Sequence, residues 1–270
     1  VRIDLRTSLV DALGIAPGKL VSLVGAGGKT SLMYALGREI AALGHPVLLT
    51  TTTRIMYPAE GDAANLVVGE ETDATLALIE ARLGGARLVL AARARIDSKL
   101  AGFSPAFLEE IRRRMRALTI VAECDGAKGK SLKVPREHEP PVAPSTDVFV
   151  VMLGADCLGK PLSSEEVFEG EMVAAVAGVD PGHLVDRRVV VKAVLSSESY
   201  LGRKPPQARL CIFINKVDVG NLDRPGLEGG WSQVTSAFEV GMALKSDVAV
   251  DRVVYGSLER SAAKGFLVLG

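Results

Sequence analysis

The sequence predicts an α/β fold, a mostly parallel sheet flanked by helices, on three observations. Short apolar runs alternate with longer amphipathic stretches along most of the chain. At "LVSLVGAGGKTSLMYALG", residues 20–37, an apolar run passes into glycines and then a helical pattern. At "LTIVAECDGAKGK", residues 118–130, another apolar run ends in two carboxylates, at the sheet edge where ligands of open α/β sheets bind.

The 270 residues suit one domain spanning 1–270, and 48% apolar content supplies a sizeable core. Thirty-two basic and 32 acidic residues cancel, so no electrostatic footprint points to nucleic acid. No apolar run approaches a membrane span, and "VRIDLRTSLVDALG" lacks the continuous apolar stretch of a signal peptide. Cys124, Cys157 and Cys211 are odd in number without C-x-x-C spacing, so each is expected to be a small buried hydrophobe in a reducing cytoplasm.

Strands are expected at 20–24, 47–51, 66–68, 87–90, 119–123, 148–153, 210–214 and 252–255, each an apolar run bounded by turn residues. Leu32, Leu36, Ile40 and Leu43 form one stripe of a helix that stops near Gly44-His45-Pro46. Ser104-Pro105 offers an N-cap and first-turn proline for a helix reaching Arg116. Its buried stripe is Leu108, Ile111, Met115 and Leu118, leaving Arg112-Arg113-Arg114 as a solvated face. The long segment 126–146, with four prolines and little periodicity, reads as a surface excursion or as a lid or substrate loop.

The glycine turn has the chemistry of a phosphate loop. Gly25, Ala26, Gly27 and Gly28 present backbone N–H groups to an anion at a helix start. Lys29 would neutralise phosphate from an exposed helix start, Thr30 would ligate Mg²⁺, and Ser31 adds another donor. The common form G-x-x-x-x-G-K-[ST] is shortened here, because Leu23 stands five positions before Gly28. A plain strand–turn–helix corner with a solvent-facing lysine would show the same glycines.

Asp125 is the natural Mg²⁺ partner beside Thr30, and Glu123 could tune the metal or orient water. In "VLLTTTTRI", residues 47–55, Thr52 and Thr53 could help hold Mg²⁺ or the terminal phosphate, and Arg54 could stabilise developing charge. In "ARLCIFINKVDVG", residues 208–220, a strand runs into Asn215-Lys216-Val217-Asp218. A carboxylate at Asp218 can accept both adjacent donors of guanine, while adenine offers neither. Asn215 could bridge base and phosphate loop, the Lys216 stem could cover the base, and Ser257 lies where a last base-contacting loop belongs. Together these give a P-loop NTPase-type fold that binds Mg²⁺ with GTP, or with ATP.

Several motifs together resemble one family, the YqeC accessory proteins of selenium-dependent molybdenum hydroxylases. They are "LVGAGGKTSL", "VLLTTTTRI", "KLAGFSP", "AECDGAKGKSLKVP", "EHEPPVAPSTDVFVVMLGADCLGKPL" and "INKVD". The resemblance implies a nucleotide-binding protein of the GTPase-related kind that partners a molybdenum hydroxylase or its cofactor-assembly proteins. That family pattern often has histidine after the threonines and a His-Arg pair near 167–168, where this chain has Arg54 and Glu169-Gly170-Glu171. The D-x-x-G switch of small GTPases is not found at Asp125, which is followed by Gly-Ala-Lys. The leading expectation is a slow Mg²⁺-dependent nucleotide hydrolase. An ATP-dependent ligase or kinase, and a non-hydrolysing nucleotide-gated module, are the alternatives.

Overall fold

The central strands are apolar on both faces, which suits a parallel sheet covered by helices on each side. A computed structural model describing residues 2–59, 61, 64–217, 230–258 and 265–270 has this arrangement. The strands are β1 (Ile3–Arg6), β2 (Leu20–Gly25), β3 (Val47–Thr51), β4 (Arg54–Met56), β5 (Leu66–Val68), β6 (Leu88–Ala92), β7 (Ala94–Ile96), β8 (Lys99–Ala101), β9 (Thr119–Glu123), β10 (Val148–Gly154), β11 (Arg209–Asn215), β12 (Val250–Tyr255) and β13 (Phe266–Leu269). Among the described residues, ten of them form one sheet in the order β1-β13-β12-β11-β10-β2-β9-β3-β6-β5. Pairing is parallel from β12 through β5, and only the β12–β13–β1 end is antiparallel.

The helices are α1 (Leu9–Leu13), α2 (Lys29–Ala42), α3 (Asp73–Gly85), α4 (Pro105–Arg114), α5 (Gly170–Ala177), α6 (Arg187–Leu195), α7 (Tyr200–Arg203) and α8 (Gly230–Lys245). One face of the sheet packs Val21 and Leu23 against Leu32, Met33 and Leu36 of α2. The other packs Leu20 and Val24 with Ile111 of α4, Val189 of α6 and Val240 of α8. The alternation along β2 therefore feeds two cores with one strand. Among the described residues, no helix is long and apolar enough to cross a membrane.

Strands expected at 47–51, 66–68 and 119–123 match β3, β5 and β9, and the others differ at their ends by up to two residues. The sequence reading passed over β1 and β13, which close the antiparallel edge, and over the small sheet β4-β8-β7. Leu43 departs from its expected stripe: it follows the last turn of α2 as the C-cap and is 58% exposed. Arg112 is also not fully solvated. Its guanidinium pairs with Asp147 at 2.7 Å and donates to the Ser145 carbonyl, while Arg113 and Arg114 pair with Glu110 and Glu80 on the surface.

Segment 126–146 has no helix or strand, yet its middle is packed rather than draped over the surface. Leu132 and Val134 join the core, and the Ser131 and Leu132 N–H groups donate to the Glu166 carbonyl. Arg136, Glu137 and His138 form an exposed tip beyond this packed stretch, and Lys128, Gly129 and Pro144 are exposed nearer the ends.

Candidate functional site

The site is assembled where β2 and β9 end side by side, with Leu23 in register with Glu123. Gly25 and Gly27 take positive φ angles of 92° and 83°, which ordinary side chains rarely adopt. A Cβ on Gly27 would lie 2.4 Å from the Gly154 nitrogen, so the loop fits against the end of β10 only as glycine. The Ala26 and Gly27 N–H groups turn away from the loop mouth, donating to the Met152 and Lys130 carbonyls. Among the described residues, the N–H groups of Gly28, Lys29, Thr30 and Ser31 meet no acceptor. Gly28 provides no side-chain cap to α2, so these donors and the positive end of the helix dipole are left for an anion.

Lys29 overturns one expectation. It is 4% exposed rather than solvent-facing, because the glycine turn folds its stem back over the loop toward two carboxylates. Its Nζ donates to the Gly25 carbonyl at 2.5 Å and lies 3.2 Å from Asp125 Oδ1 and 4.0 Å from Glu123 Oε1.

The two carboxylates are placed differently from one another. Thr30 Oγ1 donates to Glu123 Oε2 at 2.6 Å, so Glu123 is the carboxylate beside the hydroxyl of the phosphate loop. Asp125 is fully buried behind that loop. Its Oδ2 accepts from the Gly25 N–H at 3.1 Å and the Tyr200 hydroxyl at 3.0 Å, with Lys133 Nζ at 3.3 Å. Asp125 Oδ1 has Lys29 nearby but no aligned hydrogen bond among the described residues. Asp125 is expected beside Thr30; Glu123 takes that place, and Asp125, two residues past the end of β9, lies under the loop against the Gly25 N–H.

Burial pushes the Glu123 carboxyl up from its ordinary value, and the Lys29 charge and Thr30 hydroxyl pull back against it. Burial, reinforced by Asp125, pushes the Tyr200 phenol well up, so Tyr200 is a donor. The buried Cys124 thiol is pushed up to about 12, which makes it an inert packing residue.

The threonines serve the backbone first. Thr51 Oγ1 donates to the Glu123 carbonyl and accepts from the Thr53 N–H, and the Thr51 and Thr53 carbonyls accept from Phe103 and Gly102. Thr52 Oγ1 is buried with no hydrogen-bond partner among the described residues. Arg54 lies exposed on β4.

Asn215 ties two loops together. Its Nδ2 donates to the Gly27 carbonyl at 2.7 Å, and its Oδ1 accepts from the Leu258 N–H at 3.1 Å. Ser257 is thereby held beside the phosphate loop. Lys216 adopts a φ of 64° and donates to Ser131 Oγ and Asp156 Oδ2. Asp218 lies outside the described residues.

The sequence gives Tyr200 no role, and Ser131, Lys133, Glu139 and Asp156 enter only as members of the family motifs and of the charged long segment. Lys133 carries a misleading pattern: between Leu132 and Val134 an extended alternation would turn it away from the core to solvent, yet it is buried. Tyr200, on a four-residue helix far along the chain, carries no signal.

Among the described residues, no three His, Cys, Asp or Glu side chains converge as a metal cluster. One carboxylate and one hydroxyl beside unpaired N–H groups suit a Mg²⁺ ion that keeps waters and shares phosphate oxygens.

Comparison with known proteins gives two kinds of likeness. The chain is 28% identical over 204 residues to uncharacterized protein YqeC of Escherichia coli (strain K12), covering 73% of this chain and 75% of that protein. Among solved structures it is similar to cell division protein FtsY of Thermotoga maritima, with 12% identity, 92% of this chain covered and a TM-score of 0.35. FtsY of Mycoplasma mycoides gives 10% identity, 93% coverage and a TM-score of 0.31. The chain spans 64% of the length of each FtsY chain. The family model described as YqeC protein matches residues 21–171, which hold the phosphate loop, both carboxylates and segment 126–146, and the chain belongs to the YqeC family.

Proposed function

We propose that this protein binds a nucleoside triphosphate with Mg²⁺ at the α2 start and hydrolyses it slowly, as an accessory factor in molybdenum hydroxylase maturation. The observation that carries the nucleotide reading is the set of unpaired N–H groups from Gly28 to Ser31, bracketed by Lys29 and the Thr30–Glu123 pair. A β,γ-phosphate would accept these donors and draw Lys29 off the carboxylates. Thr30 and Glu123 would hold the Mg²⁺ side, and Thr53 remains a further hydroxyl candidate. Bound there, Mg²⁺ supplies charge neutralisation on the phosphate oxygens. Asp125 keeps the loop in shape through the Gly25 N–H.

GTP is the preferred ligand in this reading, on the Asn215–Asp218 motif and on the Asn215 clamp that sets Gly256, Ser257 and Leu258 beside the loop. The client assignment and the selenium connection rest on the family resemblance, with the tip of 126–146 as the contact surface.

Titration of the protein with GTP and ATP, with and without Mg²⁺, followed by phosphate release, tests the reading. Mg²⁺-dependent binding that favours GTP is expected. Equal, metal-independent affinity for both, or none, would remove it.

A further inference from the structure

Lys133 is a buried ammonium, 2% exposed, on a segment otherwise free of regular structure. Burying a lysine is costly unless each donor is matched. Here its Nζ donates to the Gly126 carbonyl at 2.9 Å and to Glu139 Oε2 at 2.6 Å, and lies 3.3 Å from Asp125 Oδ2. One ammonium is thus shared between the carboxylate behind the phosphate loop and a carboxylate at the exposed tip. The same Glu139 Oε2 accepts from the Arg136 N–H at 3.2 Å, and the Glu139 N–H donates back to the Arg136 carbonyl. The Arg136 guanidinium in turn pairs with Glu169.

Among the described residues, Lys29 and Lys133 are the cations on Asp125. If Lys29 leaves for a phosphate, a fully buried carboxylate keeps one cation, and that cation is bonded more closely to Glu139. The low local dielectric favours moving Lys133 toward Asp125 and loosening Glu139.

We infer that Lys133 is a positioning residue that reports the place of Lys29 to the tip at 136–139: when Lys29 leaves Asp125, Lys133 leaves Glu139 and the tip opens. The trigger, nucleotide, rests on the functional reading above; the transmission does not. With no D-x-x-G at Asp125, where the acidic strand ends, this gives segment 126–146 a route to sense the loop.

Amide hydrogen exchange on the full chain tests it, with the Arg136 amide as the reporter. Lys29→Met, without nucleotide, is expected to speed exchange at Arg136 roughly tenfold, as for loss of one charge-assisted hydrogen bond. The Ala249 amide, held by the Asp247 carboxylate in a turn at the opposite end of the parallel strands, exchanges by a similar local opening and should not change; acceleration there too would mean general loosening and would overturn the inference. Lys29→Met/Asp125→Asn removes the demand for a cation and should return Arg136 to the wild-type rate, which also guards against a poorly folded single variant. Glu139→Gln should make Arg136 fast from the outset and insensitive to Lys29→Met. Saturating GTP with Mg²⁺ should reproduce the Lys29→Met pattern in the wild type. Bound GTP with an unchanged tip overturns the coupling alone. If no nucleotide binds, the functional reading falls, and the Lys29→Met comparison still decides whether Lys133 transmits.

Discussion

Lys29→Met is expected to weaken the fold as well as nucleotide binding, because Lys29 belongs to a buried ion pair. Its ammonium lies 3.2 Å from a carboxylate with no exposure, and methionine fills the space without the charge. Removing one partner of a buried pair costs about 3–5 kcal/mol. Lys133, 3.3 Å from the other oxygen of Asp125 in the wild type, remains as a second cation, which argues for the lower end, about 3 kcal/mol. At roughly 2–4 °C per kcal/mol for a chain of this order of size, Tm should fall by about 6–12 °C. Asp125→Asn in the same chain removes the stranded charge, so the double variant should be more stable than the sum of the singles by at least about 1 kcal/mol. Glu123 adds a pH signature. Its carboxyl is raised by burial and lowered by Lys29, so losing Lys29 raises it further. A carboxyl with a folded pKa above its unfolded value, 4.5, loses stability as pH rises through the window between them. The Lys29→Met deficit should therefore shrink as pH falls through that window. Urea denaturation of the four chains across pH measures all of this. A single variant as stable as the wild type, or strictly additive effects, would show that Lys29 points to solvent and that the pair does not exist.

Glu123→Gln keeps the volume and an acceptor for Thr30, so it should fold normally yet lose Mg²⁺ stimulation of nucleotide binding; full Mg²⁺ stimulation in this variant would return the metal to Asp125. Gly27→Ala should cost about 2–5 kcal/mol, from its positive φ and the Gly154 backbone 2.4 Å from the added Cβ. Gly84→Ala, in open space on α3, should be neutral or slightly stabilising in the same thermal melts, and equal losses at both sites would contradict the packing described. Asp218→Asn should cost GTP roughly 2–4 kcal/mol of affinity and gain affinity for xanthosine triphosphate, whose carbonyl faces the new amide. Competition binding that leaves the preferences of the variant unchanged would reduce Asn215–Asp218 to a turn.

The parallel core was legible because its strands are buried on both faces and read as unbroken apolar runs, as in "VFVVMLG" and "LVLAA". β1 was hidden for the opposite reason. "IDLR" is short, and Ile3 and Leu5 are exposed at 52% and 63% on a sheet edge, so nothing in its pattern announces burial. The tight turn between β2 and α2 was legible from its glycines, since each steric demand leaves a residue type behind. The separation of roles between Glu123 and Asp125 was not. Two carboxylates two positions apart look alike in sequence, and only the folded loop, which sets the Thr30 hydroxyl against one and the Gly25 N–H against the other, tells them apart. Tyr200 escaped because its meeting with Asp125, 75 residues away, depends on how α7 returns over the sheet.

Asn215 has a consequence for how a ligand is received. Both ends of its amide are committed inside the protein, one to the Gly27 carbonyl and one to the Leu258 N–H. The wall carrying the phosphate loop and the wall carrying Gly256 and Ser257 are thus stapled at a fixed spacing before anything arrives. Neither loop can shift against the other without breaking a hydrogen bond of this amide, so a ligand held there in the proposed reading would find that side already ordered and meet little ordering entropy from it.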